Sequence, residues 1–492
     1  MNLQDLSQTF RIPGIELEAM RLASPAFERV PYADALRRNC VALRSAQGEL
    51  LAVLGDPRDM ATQDWLEDRL REPFSYRVAR SDEIAVYLAQ QEEGLRTMDN
   101  LAPSADSGAT RDKAQDISIE SIAGSDSLVV KLVNSTLHDA LKAGASDIHL
   151  ETGGPGLTVK YRIDGVLGVV KTVEGADFAE QAISRIKVLA ELDIAERRVP
   201  QDGRFRARSG EREIDLRVSI MPSVLGEDAV LRILDKRALS DQLTGLTLER
   251  LGFESEIAQK LRRLSGEPYG MLLVTGPTGS GKTTTLYSVI SELNKGLDKI
   301  ITIEDPVEYQ LPGVLQIPVN EKKGLSFARG LRSILRHDPD RIMVGEIRDP
   351  ETAEIAVQSA LTGHLVYTTV HANNVFDVIG RFRHMGVDTF NLAAALNVVM
   401  AQRLVRIICA SCAAKGCAQC RGTGFRGRKA IAELMVLNDE IKELIATRAP
   451  ARKLKEAAHA AGTGSLREAA LALVKRGETT LEEIDRVTSA AG

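Results

Sequence analysis

The eight residues GPTGSGKT, from Gly276 to Thr283, constrain this chain more than any other segment. They follow the apolar run MLLVT and precede TTLYSVISEL, which has helical periodicity. A glycine-rich turn between a strand and a helix lets backbone amides wrap phosphates, and the helix N-terminus adds its positive dipole end. Gly276, Pro277, Thr278, Gly279, Ser280 and Gly281 form the cradle. Lys282 reaches the β- and γ-phosphates, and Thr283 offers its hydroxyl to Mg²⁺. The bland alternative is a glycine-rich turn without chemistry, and the full match in this context argues against it.

The surroundings fit an α/β fold. MLLVTG, KIITIED, RIMVGE and HLVYTTVH are short apolar strand candidates with helical patterns between most of them. That alternation is the mark of a parallel sheet covered on both faces. Two acidic segments stand at strand ends, where such a sheet builds its site. IEDPVE carries Glu304, Asp305 and Glu308, and VGEIRD carries Glu346. One carboxylate must orient or deprotonate an attacking water, and another can hold magnesium through water. Gly345 occupies the place where many P-loop ATPases have a metal-supporting aspartate. The metal shell then leans on Thr283, water and the glutamates.

The remaining segments divide by pattern. Residues 1–95 read as a small α+β domain, with AVLGDPRD a strand ending in a turn and DWLEDRLREPF a short amphipathic helix. Residues 96–115 are polar and rich in Ser, Ala, Asp and Gly, the composition of a flexible linker. Residues 116–240 read as a second α+β domain (PAS-like). In it VVKLVNSTLHDALKAG is helical, and GRFRARSGEREIDLRVSI is a hairpin turning near Ser209-Gly210. Residues 241–400 form the nucleotide domain, 401–430 a cysteine-bearing subdomain, and 431–492 a helical tail with two amphipathic stretches broken at Gly462 to Gly464.

The formal net charge of -5 does not favour a nucleic-acid polyanion as main partner. No stretch approaches the roughly 20 apolar residues that span a bilayer. The start, MNLQDLSQTF, has no basic run before an apolar core, so no signal peptide is expected and the chain is expected in the cytoplasm.

GPTGSGKTTTLYS, TIEDPVEY, LRSILRHDPDRIMVGEIRD and TGHLVYTTVHANN stand in fixed order. That order is similar to the Walker A, Asp box, Walker B and His box of the type II secretion and type IV pilus assembly ATPases (general secretion pathway protein E-like). The resemblance is strong from about Ser118 onward and weaker over the first 95 residues. It implies a RecA-like P-loop ATPase domain preceded by two small α+β domains, with a zinc subdomain and a helical tail. Glu346 matches the Walker B glutamate taken as catalytic base, and Glu308 a second essential carboxylate. His364 and His371 match the His box, with His371 the better candidate for function. Arg217 and Arg232 match arginines that the preceding domain supplies to the nucleotide, and Arg332 and Arg336 two from the motor domain. Guanidinium groups there neutralise charge developing on the γ-phosphate. Most arginines are simply solvated, which is the competing reading for all four.

The resemblance further implies a homo-hexamer. Its partners are the cytoplasmic region of an inner-membrane anchor protein and a polytopic membrane platform protein, through which the chain is recruited to the inner membrane. The activity implied is ATP hydrolysis driving pseudopilus assembly and protein export. A type IV pilus extension ATPase is the nearest rival, and a nucleic-acid translocating ATPase a more distant one.

Of five cysteines, Cys40 stands alone and reads as a buried thiol. Cys409, Cys412, Cys417 and Cys420 form two C-x-x-C knuckles, which suit tetrahedral zinc in a closed structural site. The family carries a zinc-binding quartet here, usually with a longer insertion between the pairs than the AAKG of this chain. Reduced thiols, a redox pair and a nucleic-acid-binding knuckle are the alternatives.

Overall fold

The computed structural model describes residues 7, 9–10, 12–45, 48–70, 72–92, 115–117, 127–209, 212–235 and 246–489. The chain divides into two compact units, Met1–Asp235 and Lys236–Gly492.

The first unit holds two sheets. In one, strands β1 (Ser24–Pro25), β2 (Cys40–Arg44), β3 (Leu50–Leu54) and β4 (Phe74–Val78) lie in that spatial order. β3 is a continuous apolar run, LLAVL, and is buried along its whole length, as a strand covered on both faces must be. Cys40 is fully buried in this core, and burial pushes its thiol up to about 12. The helix expected over DWLEDRLREPF runs instead over Met60–Arg69. Asp59 caps its start through the Thr62 amide, and Pro73 cannot continue it, so Phe74 opens β4.

The other sheet has seven strands: β5 (Gln115–Asp116), β6 (Asp147–Gly153), β7 (Gly156–Ile163), β8 (Val166–Glu174), β9 (Gln201–Ser209), β10 (Arg212–Ser223) and β11 (Gly226–Leu234). Their order is β5-β9-β10-β11-β6-β7-β8. Along β10 the residues Ile214, Leu216, Val218 and Ile220 turn into the core, and Arg217 between them is exposed. Helices Leu128–Lys142 and Ala176–Leu189 supply the other side of that core. The expected hairpin pairs β9 with β10, Ser209 opposite Arg212, and Gly210 lies outside the described residues. So does the expected linker, except Gln115, which begins β5.

The second unit is built on β12 (Gly270–Thr275), β13 (Ile300–Glu304), β14 (Leu315–Pro318), β15 (Arg341–Val344), β16 (Leu365–Val370), β17 (Leu396–Ile408) and β18 (Phe425–Val436). The order is β14-β13-β15-β16-β12-β17-β18, parallel throughout except the last pair. Alternate residues of β12 serve two cores: Met271 and Leu273 one face, Leu272 and Val274 the other. Helices flank both faces, so the expected α/β architecture is present.

One expectation for this unit needs correction, and the expected helical tail with its break at Gly462 to Gly464 is present. Boundaries at 400 and 430 fall inside β17 and β18, because those strands belong to the same seven-stranded sheet and the cysteines sit on the excursion between them. The tail holds four helices: Asp439–Ala446, Ala451–Ala460, Leu466–Lys475 and Leu481–Val487. Pro450 and the caps Asn438, Ser465 and Thr480 restart the chain at each. No described helix is long and apolar enough to cross a membrane.

Candidate active site

Strand register brings the motifs to the carboxyl end of the parallel strands. Thr275 at the end of β12 pairs with Val370 of β16. Val344 of β15 pairs with Thr368 of β16 on one side and Ile303 of β13 on the other. The segments leaving these four ends carry the phosphate loop, the Asp box, Glu346 and His371.

The phosphate loop enters the helix Lys282–Leu293 directly, with Lys282 as its first residue. Gly276 has φ +150°, and a Cβ there would lie 2.6 Å from both the Gln402 carbonyl and Ser280 Oγ. Only glycine fits. Ser280 is buried, and its Oγ has no hydrogen-bond partner among the described residues. A buried unpaired hydroxyl in a loop before a helix N-terminus is a donor that an anionic oxygen would satisfy. Lys282 Nζ donates to the carbonyls of Gly276 (2.8 Å) and Pro277 (3.0 Å). Burial pulls its pKa down to about 8, with Glu346 opposing and Arg403 adding to the depression.

Glu346 stands just beyond β15, with its side chain 15% exposed. One oxygen is held by Arg348 and the other lies 3.2 Å from His371 Nε2. Arg348 also lies 3.9 Å from Asp305. The backbone under Glu346 is fixed: the Gly345 amide donates to Ile303, and Thr369 Oγ1 donates to the Gly345 carbonyl. A Cβ on Gly345 would sit 3.2 Å from the Ile303 carbonyl and 3.3 Å from Glu304 Cα, so no aspartate fits there without displacement.

His364 is not part of this constellation. It precedes β16, bonds Ser359 O through Nδ1 at 3.0 Å, and accepts from Gly270 at the start of β12. The intervening strand places it on the order of 20 Å from His371. Glu304 likewise leaves the site. It ends β13 almost fully buried, bonded to the hydroxyls of Tyr287 and Thr302 and to Gln316 Nε2. Glu308 lies on the half-buried segment after β13.

Residues 123–486 match the profile of the type II/IV secretion system proteins, and residues 10–97 match the MshEN domain. The chain belongs to the type II/IV secretion system protein family. It is 42% identical over 474 residues to the type II secretion system protein HxcR of Pseudomonas aeruginosa, covering 93% of this chain and 99% of the other. It is 38% identical over 514 residues to the type IV pilus assembly ATPase PilB of Myxococcus xanthus, covering 97% and 89%. Among solved structures, the pilus retraction motor PilT with bound ADP matches at TM-score 0.50 and 31% identity. That match covers 72% of this chain and 96% of the motor.

The arginines that this family resemblance brought forward fall in both units. Arg332 lies on the helix Phe327–Ile334 and pairs with Glu351 at 2.5 Å, both more than half exposed. Arg336 donates to the Arg332 carbonyl. Arg217 and Arg232 are in the first unit, directly opposite each other on β10 and β11. Arg232 pairs with Asp147 at 2.9 Å, while the Arg217 guanidinium has no partner among the described residues.

The cysteine quartet of this secretion-family chain does come together. All four sulfurs lie within 4.8 Å of one another. Cys409–Cys417, Cys412–Cys420 and Cys417–Cys420 stand at 3.9, 3.6 and 3.7 Å. The short spacer manages this by putting Ala413 and Ala414 in the left-handed region, φ 47° and 69°, at a cost of about 1 kcal/mol or more each. Against its burial, the amides of Cys417 and Gly424 hold the Cys420 thiol below its ordinary value. Such a cluster could hold a metal ion.

Arg348, Gln402 and Arg403 were not singled out from sequence. Arg348 stands two residues from Glu346, inside the segment that resembles a Walker B motif. Gln402 and Arg403 lie on a strand that no motif marks.

Proposed function

We propose that this chain is the motor ATPase of a type II secretion system, hydrolysing ATP to ADP and phosphate to drive pseudopilus assembly and protein export. The observation that carries this reading is Glu346 held between Arg348 and His371 at the carboxyl end of the strands that also presents Lys282. In this reading the water oxygen attacks the γ-phosphorus and Glu346 takes its proton. The bond from γ-phosphorus to the β,γ-bridging oxygen breaks, and ADP leaves. Lys282 and the loop amides hold the β- and γ-phosphates. Thr283 would hold Mg²⁺, with Glu308 a further carboxylate near the end of β13. A carboxylate offers about four lone-pair sites, so the two contacts of Glu346 leave room for a water proton.

Charge on the γ-phosphate calls for more cations than Lys282. Arg217, Arg232, Arg332 and Arg336 are proposed to supply them, brought into register by a hexameric ring. The exposure of Arg217 and Arg332 supports this, since each is open to a second body. Specific ATPase activity of the purified chain should therefore rise with protein concentration across the assembly transition, followed by sedimentation. Activity independent of concentration would contradict the ring requirement. We further propose that the chain lies in the cytoplasm and is recruited to the inner membrane through an anchor protein, bound by the first domain, and a platform protein. Extension of a type IV pilus remains the alternative, supported by the match to PilB along nearly the whole chain. Loss of secretion or of pili on deletion of the gene separates the two.

The cysteine cluster is proposed to hold structural zinc. Four thiolates at ~2.3 Å from a tetrahedral ion set sulfur–sulfur distances of ~3.8 Å. The observed 3.6, 3.7 and 3.9 Å bracket that value. Four thiolates leave no coordination position for water, so the role is structural. Metal analysis of protein purified without chelator should give one zinc per chain. Cys409→Ser with Cys412→Ser should release it and loosen residues 409–425, with nucleotide binding retained. Metal-free protein with four titratable thiols in the folded state would make the cluster ordinary reduced cysteines.

A further inference from the structure

Two adjacent residues of β17 grip different parts of the nucleotide pocket, because neighbours in a strand point to opposite faces. Gln402, fully buried, donates from Nε2 to the Ser280 carbonyl and accepts from Thr285 Oγ1, both at 2.8 Å. It ties β17 to the phosphate loop and to the helix that follows. Arg403 reaches the other way. Its Nη2 donates to the Asn373 carbonyl at 2.8 Å, and its Nη1 to the Gln402 carbonyl at 3.0 Å. Asn373 is two residues past His371 and directly before Asn374, whose side chain caps the helix Val375–His384. A Cβ on Gly276 would lie 3.2 Å from Arg403 Nη1, so the guanidinium also borders the first residue of the phosphate loop.

The hydrogen bonds of Arg403 run only to backbone carbonyls, and it makes no ion pair among the described residues. Burial holds its pKa below the ordinary arginine value, with the nearby Glu433 carboxylate opposing. Half-burying a cation without a contacting carboxylate is costly. A planar, five-donor fork spans two carbonyls, which a lysine meets only in part and an apolar residue not at all.

We propose that Arg403 is a positioning residue that fixes the His371 segment against the phosphate loop, and so keeps His371 on Glu346. The inference rests on the ATPase reading of this site. Without Arg403 the Asn373 carbonyl loses its donor, and residues 371–374 loosen to what the bonds of Ala372 to Thr275 Oγ1 and the Asn374 cap still hold. Glu346 then loses a fixed partner, while the phosphate cradle keeps its own backbone and Lys282.

The test uses the full chain with Arg403→Met, Arg403→Lys, His371→Ala and the double variant Arg403→Met/His371→Ala. Arg403→Met should lower kcat on the order of ten- to a hundredfold, the scale of a small misplacement near reacting groups. Below the Lys282 titration, at about pH 6.5, affinity for a fluorescent ADP analogue should stay as in the wild type, and Arg403→Lys should restore part of the rate. The double variant should be no slower than the worse single one, since both act through one segment. Hydrogen exchange of the 371–376 amides should speed up in Arg403→Met. Additive losses, unchanged exchange, or ADP affinity falling together with kcat would each overturn the proposal. A wild-type chain without turnover, whose ADP binding ignores Lys282→Ala, would instead sink the ATPase reading. The exchange measurement still decides the role of Arg403 in that case.

Discussion

Glu346→Gln should bind ATP as the wild type does and hydrolyse it on the order of 10² to 10⁴ times more slowly, the usual contribution of a positioned general base. The geometry favours a clean result. Glutamine keeps the size of the side chain and one carbonyl oxygen for Arg348, and its amide can donate to a neutral His371. The supporting backbone bonds from Gly345 and Thr369 involve no side-chain atom of residue 346. What disappears is the negative charge and the ability to take a proton. The measurement pairs single-turnover hydrolysis with equilibrium ATP binding. Loss of binding alongside rate would reassign Glu346 to holding magnesium or the loop. A rate within a few-fold of wild type would leave hydrolysis without the base proposed for it.

Much of this site could be read from the sequence because its chemistry is local. The phosphate loop needs glycines, a lysine and a hydroxyl in eight consecutive residues, and the short apolar strands before each motif declare their own ends. β12, β13, β15 and β16 therefore lie where MLLVTG, KIITIED, RIMVGE and HLVYTTVH put them. Residues that act across the chain were not legible. Gln402 lies 122 residues from the Ser280 carbonyl it holds, and nothing in AQRLVR announces that bond. His364 and Glu304 show the converse. Each stands beside a motif, but His364 precedes β16 at the far end of that strand, and Glu304 is consumed by Tyr287, Thr302 and Gln316. Proximity in sequence to a strand end does not say which side of that end a side chain takes. The β17–β18 pair was cut by boundaries at 400 and 430 for a related reason. Cysteine spacing is a louder signal than a long mixed strand, and it drew the edges to itself.

Lys282→Ala should leave the fold intact and lower ATP turnover on the order of 10² to 10³, the cost of removing one preorganised contact to developing phosphate charge. The helix Lys282–Leu293 accepts alanine without penalty, since alanine is the best helix former. A melting curve should therefore stay near that of the wild type. The Nζ hydrogen bonds to the carbonyls of Gly276 and Pro277 are ones that phosphate oxygens would compete for, so their removal costs the nucleotide-free fold little. A second readout makes the assignment specific. Burial draws the Lys282 pKa down to about 8, with Glu346 opposing and Arg403 reinforcing. An adjacent phosphate favours the charged ammonium and raises that value again. Binding must then take up a proton near and above pH 8, so wild-type affinity for ADP should fall as pH rises through that range. In Lys282→Ala this part of the pH dependence should vanish, together with the affinity it supports. Near-normal turnover in the variant would sink the placement of Lys282 on the phosphates. An unchanged pH profile would show that another group carries the proton.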